Sequence, residues 1–458
     1  MKPMTLERIA VSCNGRVLGD AGTKVDGFAT DTRNLPMAGA GAPLFVALRG
    51  PNFDGHAHVA DAAARGAVAA LVSRPVEAGI AQVQVEDTER ALGDIARALH
   101  RERNTRVFAI TGSNGKTTVK TLLLSILSQA GRAHANPGNF NNEIGLPLAV
   151  IDAPDDARFS IYEMGAGKPG DIAYLTGIVR PDIALVNNVS AAHLERMGSL
   201  EAIADTKAAV YDDLNEGGIA VVNAEDAFAP MMAARAAGHR MLRFGIDVPA
   251  DVVARDVGAT AEGTRFRLDT PAGDVEVAMA FSGRHNVANA LAAAAMALAA
   301  GVDIDHIRAG LEAARPVAGR LRTHRLRSGA TLVDDSYNAN PASLRAGVDM
   351  LAEGGGEAWL VLGDMRELGA DEVALHAEAG RHARAAGITR LYAIGPLAGH
   401  AADAFGAGGQ HFDDHARLAD SLRAALRDGV RVLVKGSRGS AMDRVVAALL
   451  DGETHDAA

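Results

Sequence analysis

The stretch FAITGSNGKTTVKTLLLSIL, residues 108–127, constrains the fold more than any other part of the chain. An apolar run, Val107 to Ile110, reads as a buried strand, and Val119, Leu122, Leu123, Ile126 and Leu127 then recur at helical spacing. A glycine-containing loop between a strand and a helix gathers unpaired backbone N–H groups and the positive helix end at one point, which favours an anion. The common phosphate-loop pattern has a glycine five residues before the Gly115–Lys116 pair, and that position is Ile110 here. The remaining parts stand in the required order. Gly112 and Gly115 let the backbone approach phosphates without a Cβ in the way, Lys116 supplies charge for the outer phosphates, and the Thr117 hydroxyl is placed for Mg²⁺. Gly112, Ser113, Asn114, Gly115, Lys116, Thr117 and Thr118 are therefore the candidate nucleotide site, with a surface turn carrying an ordinary lysine as the alternative. A loop of this kind does not name a reaction, since switches, kinases and ligases share it.

After this loop, strand-like runs alternate with helical patterns, as expected of an α/β fold with parallel sheets. A chain of 458 residues exceeds one hydrophobic core, and three blocks are expected: 1–104 with short strands and a closing helix, 105–316 with the phosphate loop and a parallel sheet, and 317–458 as a small Rossmann-like doubly wound unit. Polar residues in RERNTRV mark the first break, and Pro316 and Gly319 mark the second. The net charge of −10 argues against sequence-independent binding to nucleic acid or anionic membrane, so a phosphate-rich substrate must meet local positive charge. GRLRTHRLRSG, residues 319–329, with four arginines, is one such place. A single cysteine, Cys13, excludes an internal disulfide, and the start MKPMTLERIA has no apolar leader; the alanine-rich run LAAAAMALAAG is shorter than the roughly 20 residues a membrane span needs. A cytoplasmic protein with no membrane insertion is expected.

In open α/β sheets the chemistry collects at the carboxyl ends of strands. Glu163 ends the strand pattern FSIYE, where its carboxylate can ligate the same Mg²⁺ as Thr117, or cap the next turn. His193 follows the next strand and reads equally as a ligand or a solvent-facing histidine. By spacing alone Lys207 is a solvated helical lysine. Asn286 and Asn289, three apart near a helix start, present two amides suited to a base edge or to capping. In DDSYNANP, Asp335 could bind ribose hydroxyls and Tyr337 could flank a base, while Asp334 or Asp335 could instead cap the following helix.

Taken in order, TGSNGKTT, YEMGAGKPGDI, NNVSAAHLERMGS, SGRHNVANA, DDSYNANPASL, LGDMRELG and KGSRGSAMDRVV resemble the Mur ligases of bacterial cell-wall synthesis. The resemblance covers essentially the whole chain. It includes an N-terminal segment, TDTRNLPMAGAGAPLFVALRGPNFDGH, similar to a UDP-sugar-binding domain of the family. The DNPR motif carried by sister ligases that select diaminopimelate is absent. In this family the phosphate loop has the shorter form, so Ile110 is no defect. The resemblance implies a monomeric ATP-dependent amide ligase whose substrates are a UDP-N-acetylmuramoyl-tripeptide and D-alanyl-D-alanine. It implies that Lys116, Thr117 and Arg320 handle ATP phosphates, and that Glu163 and His193 hold two Mg²⁺. Lys207 matches the family lysine that is carbamylated to a metal ligand. Asn286 and Asn289 would face adenine, Asp335 the ribose, Asn139 and Asn142 the muramoyl substrate, and Asp31, Thr32, Arg33, Asp54 and His56 the UDP end. Lys435 and Ser437 match the motif near the incoming amino component.

Overall fold

The computed structural model describes residues 2–36, 41–191, 194–260 and 262–451. Strand Arg106–Thr111 is apolar from Val107 to Ile110 because both its faces are covered there. Val107 and Ala109 enter one core, and Phe108 and Ile110 enter the opposite one beneath helices Lys116–Ala130 and Arg284–Ala299. Strand Ile183–Val186 divides in the same way, as strands of a parallel sheet with helices on both sides must.

The central sheet has nine strands, in the order Ala133–Ala135, Phe159–Glu163, Arg106–Thr111, Ile183–Val186, Ile219–Asn223, Arg240–Gly245, Val252–Thr260, Gly263–Thr270 and Gly273–Met279. Pairing is parallel as far as Val252–Thr260 and antiparallel beyond it. The antiparallel extension goes beyond the parallel sheet expected from the sequence. Its signature is a strict alternation: Phe266 and Leu268 point to the core, while Arg265 and Arg267 at the alternate positions are exposed. Register then sets the site. Ile110 lies opposite Glu163 and Thr111 opposite Val186, so the loops after these three strands leave the sheet side by side.

An N-terminal sheet runs Arg16–Leu18, Ala81–Gln84, Ala69–Val72, Pro43–Val46, Gly27–Ala29, parallel except at its first pair. A C-terminal sheet runs Arg322–Arg325, Thr331–Asp335, Val430–Lys435, Glu357–Gly363, Arg390–Ile394, Gly409–Phe412, again parallel except at its first pair. No helix among the described residues is long and apolar enough to cross a membrane.

The cores divide unequally. One continuous core joins Leu44, Val46 and Leu71 of the N-terminal sheet through Leu92, Ile95 and Leu99 of helix Thr88–Arg101 to Leu146, Val150, Ile172 and Leu175 of the central region. The C-terminal sheet instead has its own core on each face. Where it meets the central region, helix Leu194–Met197 approaches the turn Gly369–Asp371.

Trp359, the single tryptophan, is buried in the C-terminal sheet and so reports on that region alone. Leu92→Ala is expected to destabilise the shared core by about 2–5 kcal/mol. Urea unfolding followed by far-UV circular dichroism should shift to lower denaturant, while the Trp359 emission midpoint stays in place.

Candidate active site

Helix Lys116–Ala130 begins directly after Gly115, whose φ of 78° is left-handed. A Cβ on Gly115 would lie 2.3 Å from Asn289 Oδ1 and 2.6 Å from Asn187 Nδ2, so both backbone angle and space demand glycine here. Ile110 is a core residue of the preceding strand, which is why no glycine is needed there. Ser113 is fixed by Ser190: its hydroxyl donates to Ser190 O at 2.9 Å, and the Ser190 N–H donates back to Ser113 Oγ at 2.9 Å. Lys116 Nζ folds back onto Gly112 O at 2.7 Å. Burial pushes its ammonium down; Glu163 opposes this shift and Arg320 adds to it. Gly112 to Thr118 line a cavity of about 800 Å³ shared with Glu163, Lys207, Asn139, Asn142, Asn286, Asn289, Arg320, Asp335, Tyr337 and Lys435.

Glu163 is the buried anion of this cavity. Its carboxylate accepts from Thr117 Oγ1 at 2.8 Å and Asn141 Nδ2 at 2.8 Å, and Lys120 Nζ lies 3.1 Å away. Lys120 also donates to Asn136 O at 2.9 Å and Gly138 O at 3.0 Å. Burial pushes the Glu163 carboxyl up, yet Lys120 and Lys116, with the Thr117 hydroxyl, hold it below the usual glutamate range. A carboxylate and a threonine hydroxyl in contact at a phosphate loop are donors that suit Mg²⁺, which takes few protein ligands and completes its shell with phosphate and water. Lys207 is buried, contrary to its reading from spacing alone as a solvated lysine, and its ammonium has no hydrogen bond or ion pair to another described residue. Burial, with Lys116 nearby, lowers its pKa to about 7. His193 lies outside the described residues.

On the C-terminal side the Arg320 guanidinium stacks 4.1 Å over the Tyr337 ring. Asp335 is bound by Lys435, a pair 100 positions apart brought opposite by strand register. Burial pushes the Asp335 carboxyl up against the pull of Lys435. The amides of Asn286 and Asn289 engage each other at 3.1 Å, while Asn286 Nδ2 donates to Ser282 O at 2.8 Å and Asn289 Oδ1 accepts from Asn187 at 2.9 Å. They line the cavity but hold its wall together as well as facing it. Ser437 is buried outside the cavity lining, its hydroxyl accepting from the Arg366 N–H at 2.8 Å.

The N-terminal candidates form a separate cluster away from this cavity. Arg33 is paired with Asp31 and exposed, and Thr32 opens the short helical turn Thr32–Asn34. His56 is buried: its Nε2 accepts from the Ser73 N–H at 2.8 Å, so Nδ1 carries the proton and donates to Asp54 at 2.7 Å. Asp54 also binds Arg74 at 2.8 Å. His56 thus ties a turn to a strand end, and Asp54, with Arg33, offers the more accessible polar groups.

Residues 110–297 match the Mur ligase middle domain and residues 319–438 match the Mur ligase, glutamate ligase domain. The UDP-N-acetylmuramoyl-tripeptide–D-alanyl-D-alanine ligase of Escherichia coli (strain K12) is 40% identical over 457 residues, covering 99% of this chain and 100% of that relative. The chain belongs to the Mur ligase family. A crystal structure of MurF from Acinetobacter baumannii superposes with a TM-score of 0.92 at 32% identity, covering 98% of this chain and 99% of that one. MurF ligase from Thermotoga maritima in complex with ADP gives a TM-score of 0.82 at 28% identity, covering 93% and 97%.

Several residues of this Mur ligase's cavity escaped the sequence reading. Asn141 sits between the two asparagines singled out in NFNNEIG, and His285 precedes Asn286. Lys120 carries a usable signal, a lysine one turn after Lys116 beside the apolar positions Val119, Leu122 and Leu123. Its ammonium is the counter-ion of a nearly inaccessible carboxylate, with side-chain exposures of 8% and 2%. Breaking such a pair leaves an uncompensated buried charge, so Lys120→Met is expected to cost about 3–5 kcal/mol at pH 7. A carboxylate with a lowered folded pKa stabilises above the ordinary glutamate range and loses that contribution as pH falls through the lowered value. The gap between variant and parent should therefore narrow on acidification, as urea titrations at pH 7 and pH 4 would reveal.

Proposed function

We propose that this Mur ligase joins D-alanyl-D-alanine to a UDP-N-acetylmuramoyl-tripeptide, converting ATP to ADP and phosphate and yielding the pentapeptide precursor of peptidoglycan. The observation that carries this reading is full-length likeness to such ligases together with a cavity in which a phosphate loop, a buried carboxylate and C-terminal cations converge. The ADP held by the Thermotoga relative supports ATP as the nucleotide. We assign residues 1–104 to the UDP-substrate domain, 105–316 to the ATP domain and 317–458 to the domain receiving the dipeptide, in a monomer of the bacterial cytoplasm.

Amide formation from a free carboxylate is uphill in water, so the acid must first be activated. A carboxylate oxygen of the tripeptide attacks the γ-phosphorus of ATP, the bond to the bridging oxygen breaks, and ADP leaves an acyl phosphate. Phosphoryl transfer asks the protein mainly for position and charge neutralisation. The backbone N–H groups of residues 115–118 hold the phosphates, Lys116 exchanges its Gly112 carbonyl for a phosphate oxygen, and Arg320 adds charge from the opposite wall. Thr117 and Glu163 would hold Mg²⁺, and His193 with a carbamylated Lys207 a second ion; bound Mg²⁺ neutralises charge on the transferring phosphoryl group. The dipeptide amine then attacks the acyl carbon, loses its proton, and the tetrahedral intermediate collapses to amide and phosphate. Asp31, Thr32, Arg33, Asp54 and His56 serve the UDP end, Asn139 and Asn142 the muramoyl part, Asp335 and Tyr337 the nucleoside, and Lys435 with Ser437 the dipeptide side.

Phosphate release should require both the tripeptide nucleotide and D-alanyl-D-alanine, with the pentapeptide detected by mass. Turnover restored by glutamate or a diamino acid instead would move the chain to a sister activity. Lys116→Ala should lower kcat by roughly 10²–10³-fold, the scale of losing one preorganised charge-stabilising contact.

Lys207 supplies a further test. Only a neutral amine adds CO₂, and with a pKa of about 7 the lysine is substantially neutral at physiological pH. Protein equilibrated with ¹³C-bicarbonate should show a carbamate resonance that fades as pH drops below 7 and is missing in Lys207→Arg. A spectrum identical in the two proteins would remove the modification from the scheme.

A further inference from the structure

The C-terminal domain touches the phosphate loop through one side chain of particular geometry. Asn340 caps helix Pro341–Glu353: its Oδ1 accepts the Ser343 N–H at 2.9 Å, and its own N–H donates to Ser343 Oγ at 3.1 Å. With Oδ1 fixed by that cap, the amide nitrogen must point away, and it donates to Asn114 Oδ1 at 2.7 Å. Asn114 is equally constrained. Its Nδ2 donates to Ser190 Oγ at 2.8 Å, its N–H donates to Asn188 Oδ1 at 2.8 Å, and its carbonyl accepts from Asn187 at 3.0 Å. Asn187 in turn donates to Asn289, and Asn289 to Asn286. An unbroken chain of amides therefore runs from a helix cap in the C-terminal domain, through the phosphate loop, to the helix on its far side. Two further contacts across this seam are longer: the Glu195 N–H lies 3.4 Å from Glu367 O, and Arg196 lies 3.9 Å from the Glu367 carboxylate on an exposed surface.

We infer that Asn340 is a positioning residue that couples docking of the C-terminal domain to the conformation of the phosphate loop through Asn114, so that the phosphoryl-transfer geometry is completed only in the docked state. A primary amide is suited to this task because its donor and acceptor are distinct. The cap consumes the acceptor, which leaves the donor for a single partner in a single orientation. Without docking, Asn114 Oδ1 loses this partner at the point where the loop meets phosphate.

The inference rests on the ligase reading, and its test separates the two. Asn340→Asp keeps the cap, since aspartate accepts the Ser343 N–H as well as asparagine does, but it removes the donor and sets an oxygen against Asn114 Oδ1. Asn340→Ser also retains a capping oxygen and lacks the amide. Both variants should keep the melting temperature of the parent. Both should show a larger radius of gyration in small-angle scattering without substrates. In the ligation assay kcat should fall roughly tenfold, the scale of one lost hydrogen bond with its partner left unpaired, while KM for the UDP substrate stays within twofold. In an Asn114→Ala background, Asn340→Asp should cause no additional loss, as expected for two residues that act as one pair. Unchanged kcat and scattering in stable Asn340→Asp protein, or a full additional loss in the Asn114→Ala background, would overturn the coupling. If the parent itself made no pentapeptide, the functional reading would fail, and scattering would still decide whether the amide holds the domain.

Discussion

The buried carboxylate of Glu163 is the interaction on which the remainder of the site depends. It ends a central strand opposite Ile110, so its position is set by parallel register. Around it converge the first turns of the phosphate-loop helix, through Thr117 and Lys120, and the loop 136–142, through Asn141 and the carbonyls that Lys120 also binds. Three segments far apart in sequence are thereby fastened to a single charge. A charge so deeply buried is tolerable only with its partners in place, which makes the local geometry nearly all-or-none. The same group that suits a metal thus organises the walls around it.

The division of the cores distinguishes two kinds of junction between the regions. The N-terminal and central regions share apolar packing through helix Thr88–Arg101, and separating them would expose leucine and isoleucine side chains to water. The C-terminal region keeps its cores to itself, and its contacts with the central region include the Asn340–Asn114 hydrogen bond and a long ion pair. Water competes well for such contacts, so each contributes little net free energy and the seam can part without unfolding anything. Domains joined in this way are expected to move relative to one another. Between them, the segment 314–321 holds Gly319 and Leu321 at left-handed φ values of 73° and 57°, directly flanking Arg320. Leucine is uncommon in that conformation, so the backbone that aims Arg320 into the cavity is held there by its surroundings.

What could be read from the sequence follows from the range of the interactions. The phosphate loop was legible because strand, turn, lysine, threonine and helix are contiguous, and Glu163 because strand ends collect chemistry in any parallel sheet. The amides of Asn286 and Asn289 were placed correctly on one helix face, but their partners, each other and Asn187, cannot be read from spacing. The Asp335–Lys435 pair joins positions that only the order of the C-terminal strands brings together. His56 and Ser437 lie in motif-like surroundings, and the fold adds what spacing does not show, that each is buried and hydrogen-bonded to a neighbouring backbone N–H. For Lys207 the spacing pointed to solvent, whereas the family resemblance had already moved it into the site. Helical spacing assigns a lysine to solvent by default, and only the packed fold shows this one buried. The antiparallel extension after Val252 was visible as alternating charge but lay within a block dominated by parallel strands.

Electrostatics brings these parts together. The chain carries a net charge of −10, which repels polyanions at a distance, yet Lys116, Arg320 and Lys435 are among the cations lining its cavity, alongside carboxylates that include Glu143, Glu163, Asp171 and Asp335. Lys435 is satisfied by Asp335, and Glu163 by Lys120. Lys116 rests on a neutral carbonyl, Arg320 on an aromatic face, and Lys207 on no described partner. Lys116 and Arg320 therefore face this cavity without a direct ion pair, and burial raises the cost of leaving Lys116 so. A polyphosphate entering the cavity would give both cations an anionic partner. Part of the binding free energy is thus stored beforehand as unpaired positive charge, concentrated where phosphoryl transfer needs it.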